Sequence, residues 1–320
     1  MQWTDRIGRR IKLRDLHVLL ATIESGSMAR AAKSLSVSQP VVSKTIAGLE
    51  DSLGLRLFDR TRQGIEPTAY GWALLACGTA VFDDLRRGIQ EIEFLTDPTR
   101  GELRVGGAGP FIEGLIPAVV ARVAERYPRI DFRVLESDAR TLCRLLQERK
   151  LDLALCRPPK AIDKTDFALE RLFDETMVVI AGLESPWSAR RKINLADLLS
   201  EPWVLPESDN VAASFVADIF RIARLKPPKP QVVSNSVAVR MRLVETSKFL
   251  TIVPASMLRF GADRLQVKRL PINLPIASPP AEIITLKNRT PNAVARIFLD
   301  ELRNFVKIGV RRSDGVGVRR

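Results

Sequence analysis

The residues whose types and spacing could do chemistry form a contact set rather than a catalytic one. Ser38, Gln39, Pro40, Ser43 and Lys44 fall within seven positions, all small or polar. On a helix, Pro40, Ser43, Lys44 and Ala47 share one face. The other face carries Val42, Ile46, Leu49 and Leu53, which recur at steps of four, three and four. Such a helix buries its aliphatic stripe and offers the polar face to another surface. Upstream, Ser27 and Arg30 open a shorter run whose apolar face is Ala31, Ala32 and Leu35. Ser36-Val37-Ser38 breaks it. Ser27 and Ser38 are cap candidates, because a hydroxyl can accept an orphan N–H of an opening turn. Pro40 is tolerated in the first turn. Two short helices joined this way read as a helix-turn-helix whose second helix enters the major groove of duplex DNA. The same spacing also suits an ordinary helical hairpin with a solvated face. For catalysis the material is thin. The single histidine, His17, lies in an apolar helical run, so a Ser-His-Asp triad or a His-rich metal site is not expected. No metal or cofactor is assigned. Cys77, Cys143 and Cys156 each have apolar neighbours and read as buried, reduced thiols.

Elements that position this contact set lie on both sides. Leu13, Leu16, Leu19, Leu20 and Ile23 mark an amphipathic helix ending at Gly26, which completes a three-helix core. After Gly54, Leu57 and Phe58 anchor a short strand, Gln63-Gly64 makes a turn and Ile65 begins the return. Arg60 and Arg62 on that hairpin suit a wing against phosphates. From Thr68 to Leu95 the chain has no proline, and Leu75, Gly78, Phe82, Leu85, Ile89 and Ile92 fall at alternating steps of three and four. A helix of that length outruns a small winged domain, so its seam is expected to pair with a second copy. Packing within one chain is the alternative.

Composition sets the class. The chain has 320 residues, 46% of them apolar, enough for two or more domains with a large core. No run approaches the roughly 20 apolar residues of a membrane span, and the charged N-terminus MQWTDRIGRRIKLRDL lacks the apolar core of a signal peptide. No membrane partner is expected, and the expected location is cytoplasmic. A formal charge of +13 favours a polyanionic partner. The excess is spread out: residues 1–65 hold 11 Lys/Arg and 6 Asp/Glu, and residues 303–320 hold 6 and 1.

The run SGSMARAAKSLSVSQPVVSKTIAGLEDSLGLRLFDRTRQGIEPTAYG resembles the N-terminal domain of LysR-type transcriptional regulators. The resemblance rests on Gly26-Ser27, Ala31-Ala32, Leu35, Ser38-Gln39-Pro40, Ser43, Ile46, Leu49-Glu50, Leu57-Phe58, Arg60, Thr68 and Gly71. It implies that Ser27, Gln39, Pro40, Ser43 and Arg60 lie at the DNA. Arg30, Ser38, Lys44 and Arg62 complete the expected DNA-binding set. It implies further that the long helix dimerises, with Leu75, Phe82, Leu85, Ile89 and Ile92 as the contact residues.

Beyond Thr96-Asp97-Pro98-Thr99-Arg100-Gly101 the period changes to short apolar strands, LRVGGAG, IDFRVLE and LDLALC, alternating with helical runs at 112–126 and 138–149. A second set follows, with TMVVIAG, WVLP, QVVSNS and LTIVP as strands and helices near 211–224 and 237–247. AEIITLKN and a helix over roughly 291–306 close the chain. This half resembles the family's two-lobed effector domain, related in fold to periplasmic solute-binding proteins. The expected fold is therefore α + α/β. Residues 1–70 form a winged helix-turn-helix, 71–95 a linker helix and 96–100 a linker. The effector-binding domain occupies 101–306, with lobe I at about 101–165 and 270–306, lobe II at about 166–269, and a basic tail at 307–320.

In open α/β sheets a ligand lies beyond the carboxyl ends of strands. That rule selects Gly109, Pro110, Phe111, Ser137, Arg157, Ser208 and Ser236 as effector-binding residues. Arg157 can grip a carboxylate in a forked pair, and the serines can supply hydroxyls or act as caps. Glycines at 106, 107 and 109 allow close backbone approach but lack dinucleotide-fingerprint spacing. The sequence departs from the family at Pro110, where many members place a Ser or Thr that bonds the inducer, and at Thr246-Ser247-Lys248-Phe249, where Gly-x-Gly is commoner. The implied partners are double-stranded DNA, a small organic acid as effector, further copies of the chain as a dimer or tetramer, and RNA polymerase. An enzyme is not expected. The alternatives are a solute-binding module with no role at DNA, and a redox-responsive regulator in which Arg157 favours a Cys156 thiolate.

Overall fold

Helix boundaries follow local chemistry closely in the first half of the chain. The computed structural model describes residues 11–61, 64–157, 165–207, 211–260, 265–274 and 277–316, and the chain separates into two units, 1–89 and 90–320. In the first unit, α1 (Leu13–Ser25) ends at Gly26 in the left-handed conformation, and α2 (Met28–Ser34) and α3 (Gln39–Leu53) follow. The break between α2 and α3 turns on Ser36, at a φ of 55°, with the Val37 amide donating to the Ala32 carbonyl. Val18, Leu19, Ala31, Ala32, Val42, Ile46 and Leu49 make the core, closed by Leu57 and Phe58. Small alanines where α2 crosses its neighbours let the helices approach closely.

The wing consists of β1 (Phe58–Thr61) and β2 (Gly64–Pro67), antiparallel with Arg60 opposite Ile65. Two side chains fix it. Glu50 on α3 accepts from the amides of Leu57 at 2.7 Å and Phe58 at 3.3 Å. Thr68 donates its hydroxyl to the Arg56 carbonyl at 2.8 Å and accepts from the Gly71 amide at 3.1 Å. A Cβ at Gly71 would fall 2.3 Å from the Leu57 carbonyl oxygen, so only glycine fits there. The next helix, α4 (Ala69–Thr96), has 28 residues and spans roughly 42 Å at the usual rise of an α-helix.

The second unit begins with β3 (Arg100–Gly107), α5 (Gly109–Ile112), α6 (Leu115–Arg126), β4 (Arg129–Glu136), α7 (Ala139–Gln147) and β5 (Leu153–Cys156). Strands β4, β3 and β5 are parallel neighbours, as expected of βαβ crossovers. The expected helix at 112–126 is two pieces, parted at Gly114. Then comes β6 (Phe167–Gly182), sixteen residues long, where the sequence pattern predicted a strand only from Thr176. Polar residues from Glu170 to Glu175 mask its first half, since one face there is solvated.

The chain continues through β7 (Val204–Leu205), α8 (Val211–Ile222), β8 (Val232–Val233), α9 (Val237–Thr246), β9 (Thr251–Pro254), α10 (Ala255–Phe260) and β10 (Val267–Arg269). It returns on β11 (Ala277–Leu286) and closes with α11 (Ala293–Val316). The main sheet runs β10-β6-β11-β5-β3-β4, with β9 also on β6, and β7-β8 form a separate parallel pair. Long β6 therefore belongs to both lobes, pairing with β11 in its first half and with β9 and β10 in its second, and β11 shifts register between Ser278 and Glu282. Lobe I packs α6 and α11 on one face of its sheet, around Phe298, Ile116 and Leu103. Lobe II has cores around Trp203 and Phe220 and around Val178 and Val253. The predicted tail departs from expectation, because α11 continues to Val316.

Candidate functional site

On α3 the two faces separate cleanly. Val42, Ile46 and Leu49 are buried, and Ser38, Gln39, Pro40, Ser43, Lys44 and Ala47 are exposed. Ser27, at the head of α2, is half-buried and Arg30 is exposed. Several other hydroxyls of the unit are spent on the chain itself: Thr22 donates to Val18, Ser34 to Ala31, Thr45 to Val41 and Ser52 to Gly48. Ser27 and Ser38 occupy the N-cap positions of α2 and α3, but neither hydroxyl makes the expected cap bond. Ser43, too, makes no bond back to its helix among the described residues. Ser27 at the head of α2 and Ser38 and Ser43 at the head of α3 thus make no cap bond or bond back to their helix among the described residues. Arg60 sits in β1, on the strand that carries the wing, while Arg62 lies outside the described residues.

The seam on α4 divides in two. Gly78 is buried against Leu16 and Leu20 of α1, and the ring of Phe82 lies 5.8 Å from that of His17. Leu75 is half-buried. That half of the seam therefore packs within the chain, the arrangement ranked second from sequence. Beyond it Leu85, Ile89, Ile92 and Leu95 are 48, 50, 65 and 75% exposed. Such a rising apolar exposure along one helix is costly in water.

In the second unit, the carboxyl ends of β3 and β5 meet at Ala108, whose amide donates to the Leu155 carbonyl. Phe111 and Arg157 follow these strand ends, and the structure puts them together, with the Arg157 guanidinium 5.5 Å above the Phe111 ring. Arg157 does not await a ligand carboxylate. Its Nη2 donates to Glu175 Oε2 at 3.0 Å, and Glu175 also accepts from the amides of Thr176 and Ser256 at 3.1 Å and from the Ser256 hydroxyl. Burial pushes the guanidinium below its ordinary value, and the charge of Glu175 opposes that. The carboxylate that Arg157 holds is the protein's own, and the pair ties β5 to β6 and α10. Phe111 is 1% exposed and belongs to the lobe I core, so its ring is not a lining surface.

Gly109 faces the other lobe. A Cβ built on it would lie 2.7 Å from Val237 Cγ2 and 3.1 Å from Glu136 Oε1, so α5 and α9 approach closely here and leave no room for a side chain. Pro110 is half-buried beside it, inside the first turn of α5. Ser137 precedes the true cap of α7: Asp138 accepts from the amides of Arg140 and Thr141 at 2.9 and 3.0 Å. Ser236 is a cap, accepting from Val239 N at 3.3 Å. Ser208 lies outside the described residues. Lys248 is exposed. Burial and the nearby Glu136 carboxylate hold Glu113 above the usual carboxylate range.

One residue of this region escaped the sequence reading. Arg240 on α9 is 4% exposed; its Nη1 donates to the Ser234 carbonyl at 3.2 Å, and its Nε has no partner. The signal was present. Val237, Met241 and Val244 form the buried stripe of α9, and Arg240 stands inside it.

The cysteines divide as well. Cys77 is exposed on α4, against expectation, whereas Cys143 and Cys156 are buried in one cluster with Leu142, Leu146 and Phe167. Their thiols hydrogen-bond to one another, which lowers Cys143; the same bond, with burial, pushes Cys156 up. Arg157 is turned to Glu175, so Cys156 lacks the thiolate character that redox sensing requires.

This architecture, a winged helix-turn-helix followed by a long helix and a two-lobed α/β domain, matches known proteins along its length. The bacterial regulatory helix-turn-helix of the lysR family fits residues 13–72, and the LysR substrate binding domain fits residues 96–307. The chain belongs to the LysR family of DNA-binding transcriptional regulators. Among its relatives, the HTH-type transcriptional regulator GbpR of Azospirillum brasilense is 26% identical over 306 residues, 95% of this chain and 89% of GbpR. These relatives are regulators and not enzymes. A full-length OxyR variant from Pseudomonas aeruginosa aligns over 92% of this chain and 95% of its own, at 20% identity and a TM-score of 0.64. Full-length CbnR in complex with its target DNA aligns over 92% of this chain and 100% of its own, at 23% identity and a TM-score of 0.52. Both share the fold. Among the described residues no helix is long and apolar enough to cross a membrane.

Proposed function

We propose that residues 1–70 read an operator through Ser27, Arg30, Ser38, Gln39, Pro40, Ser43, Lys44, Arg60 and Arg62, and that a small organic acid bound within 101–306 changes how two such heads meet DNA. The observation that carries this reading is the exposed face of α3, where Ser38, Gln39, Pro40, Ser43 and Lys44 are all exposed. Gln39 and Ser43 suit base edges, which specify sequence. Lys44, Arg30 and the wing arginines suit phosphates, which position the head. Pairing along residues 71–95, through Leu85, Ile89 and Ile92, presents two heads at once. Half-sites are then spaced by one turn of DNA, about 34–36 Å, or multiples of it.

Coupling requires only that the acid bind two arrangements of the oligomer with different affinity. Assembly of two dimers into a tetramer, contact with RNA polymerase and residence in the cytoplasm complete the proposal. Footprinting of the full-length protein on genomic fragments tests it. The expected result is a protected pseudo-palindrome whose occupancy falls steeply with salt. Absence of any protected site would overturn the reading.

A further inference from the structure

Two inward-facing arginines lie near strand ends of the two lobes, Arg157 after β5 and Arg240 on α9, and they differ in what neutralises them. Arg157 has Glu175. Arg240 has a carbonyl. Beyond the Ser234 bond no partner reaches its guanidinium among the described residues, and burial, with no acidic neighbour to offset it, pushes the group below its ordinary value. Arginine nevertheless stays charged in proteins. A buried cation without a counter-ion destabilises the protein that carries it, and natural proteins retain such groups where a site needs them.

Its position is what a ligand site requires. Helical side chains lean towards the N-terminus of their helix, so Arg240 reaches back past Val237 to Ser234, just beyond the carboxyl end of β8. Ligands of open α/β sheets lie beyond such strand ends. Val237 itself meets Gly109 of lobe I, so Arg240 stands three residues from a point where the two lobes touch. Its orientation is informative too. Nη1 is held by Ser234, which leaves the Nε–Nη2 edge without a protein partner, and that edge is the one a carboxylate accepts side-on in a forked pair.

We propose that Arg240 is the anion anchor of the crevice, taking one carboxylate of the effector across its Nε–Nη2 edge. The proposal rests on the effector reading above and narrows it to a ligand bearing a carboxylate, held from lobe II. Arg157 then serves as the internal tie that keeps the facing wall in place.

Thermal denaturation of the full-length protein and of Arg240→Met tests this in two arms. Methionine completes the stripe of Val237, Met241 and Val244, so without ligand the variant is expected to melt higher, by about 2–4 °C for each kcal/mol of relieved burial cost. A lower melting point would mean that Arg240 is a structural tie, and would overturn the proposal. In the second arm, acetate and benzoate are compared with acetamide and benzamide at matched ionic strength. Carboxylates should raise the melting point of the unaltered protein, the amides should not, and Arg240→Met should lose the effect. Arg240→Lys, which keeps the charge without the fork, should keep only part of it. Carboxylates that stabilise both proteins equally, or neither, would overturn the assignment. Equal stabilisation of both by an amide would remove Arg240 and leave the crevice reading standing. A missing footprint would remove the regulator reading whatever Arg240 does.

Discussion

The surroundings of α3 and the α/β unit handle polar groups in opposite ways. Around α3 the core is aliphatic, and the groups that can meet DNA stand outside it with their hydroxyls unspent. In the α/β unit charge is drawn inside. Arg104, Asp152 and Arg289 form one largely buried cluster, Arg157 and Glu175 another, and Arg240 is buried with no acidic partner among the described residues. A reading head must meet a large, hydrated polyanion, so its useful groups belong on the surface. A domain that discriminates a small molecule needs charges out of water, where they act strongly and must be matched.

The sharpest way to break this comparison is at Asp152. Its carboxylate accepts from Arg104 Nη2 at 2.9 Å and Arg289 Nη2 at 2.6 Å. Burial, the largest influence, pushes Asp152 up, but the hydrogen bonds and charges of the two arginines outweigh it and hold the group below its ordinary value. Asp152→Asn removes the carboxylate that both guanidinium groups share, so a loss of about 3–5 kcal/mol is expected in denaturant unfolding. The pH dependence has a definite sign. A depressed carboxylate contributes stability that is present above its unfolded value and lost as pH falls through its folded one. The variant should therefore lose much of the acid-side slope. Equal stability of the two proteins at neutral pH would show that buried charge does not hold lobe I.

Next in size is Gly71→Ala. The added Cβ would meet the Leu57 carbonyl, a backbone atom that cannot rotate away, so about 1–3 kcal/mol is expected from the first unit. The damage should concentrate on the wing, because Thr68, Leu57 and Glu50 share one hydrogen-bonded corner. Amide exchange should rise at Leu57 and Phe58 before it rises in α3. Uniform protection across the unit would contradict this.

How far each unit could be read from the chain follows from the same contrast. The stripe Val42, Ile46 and Leu49 and the open face of Gln39, Ser43 and Lys44 lie within a dozen residues, so the helical period alone separates them. Arg157 and Glu175 are 18 residues apart, Arg104 and Asp152 are 48, and Asp152 and Arg289 are 137. Nothing local marks such pairs, and Arg157 was assigned to a ligand because its partner could not be seen. The first half of β6 was hidden for a related reason: its period-two signal is diluted by the charges of a solvated face. Arg240 was legible in principle, as a charge inside an apolar stripe.

On the exposed face smaller effects should separate by role. Gln39→Ala and Ser43→Ala remove groups suited to base edges, so discrimination between operator variants should fall by about 1–3 kcal/mol per base pair read. Lys44→Ala should weaken binding to all sequences alike and make the log–log salt slope shallower by about one. If Lys44→Ala changed sequence preference and left the salt slope untouched, the division between positioning and reading would fail.

The smallest effect concerns the thiols, and it sets the two ways of placing polar atoms side by side. Cys77 is exposed on α4, whereas Cys143 and Cys156 are 7 and 0% exposed and lie in one apolar cluster. A thiol-specific reagent should modify one cysteine quickly in the native protein and the other two only as fast as the α/β unit opens. Cys156→Ser keeps a hydrogen-bonding group opposite Cys143, so its effect on operator binding should be negligible with or without peroxide. A peroxide response that vanished in Cys156→Ser would return the redox reading to this buried pair. It would also mean that the α/β unit opens far more readily than its apolar packing around Leu142, Leu146 and Phe167 implies.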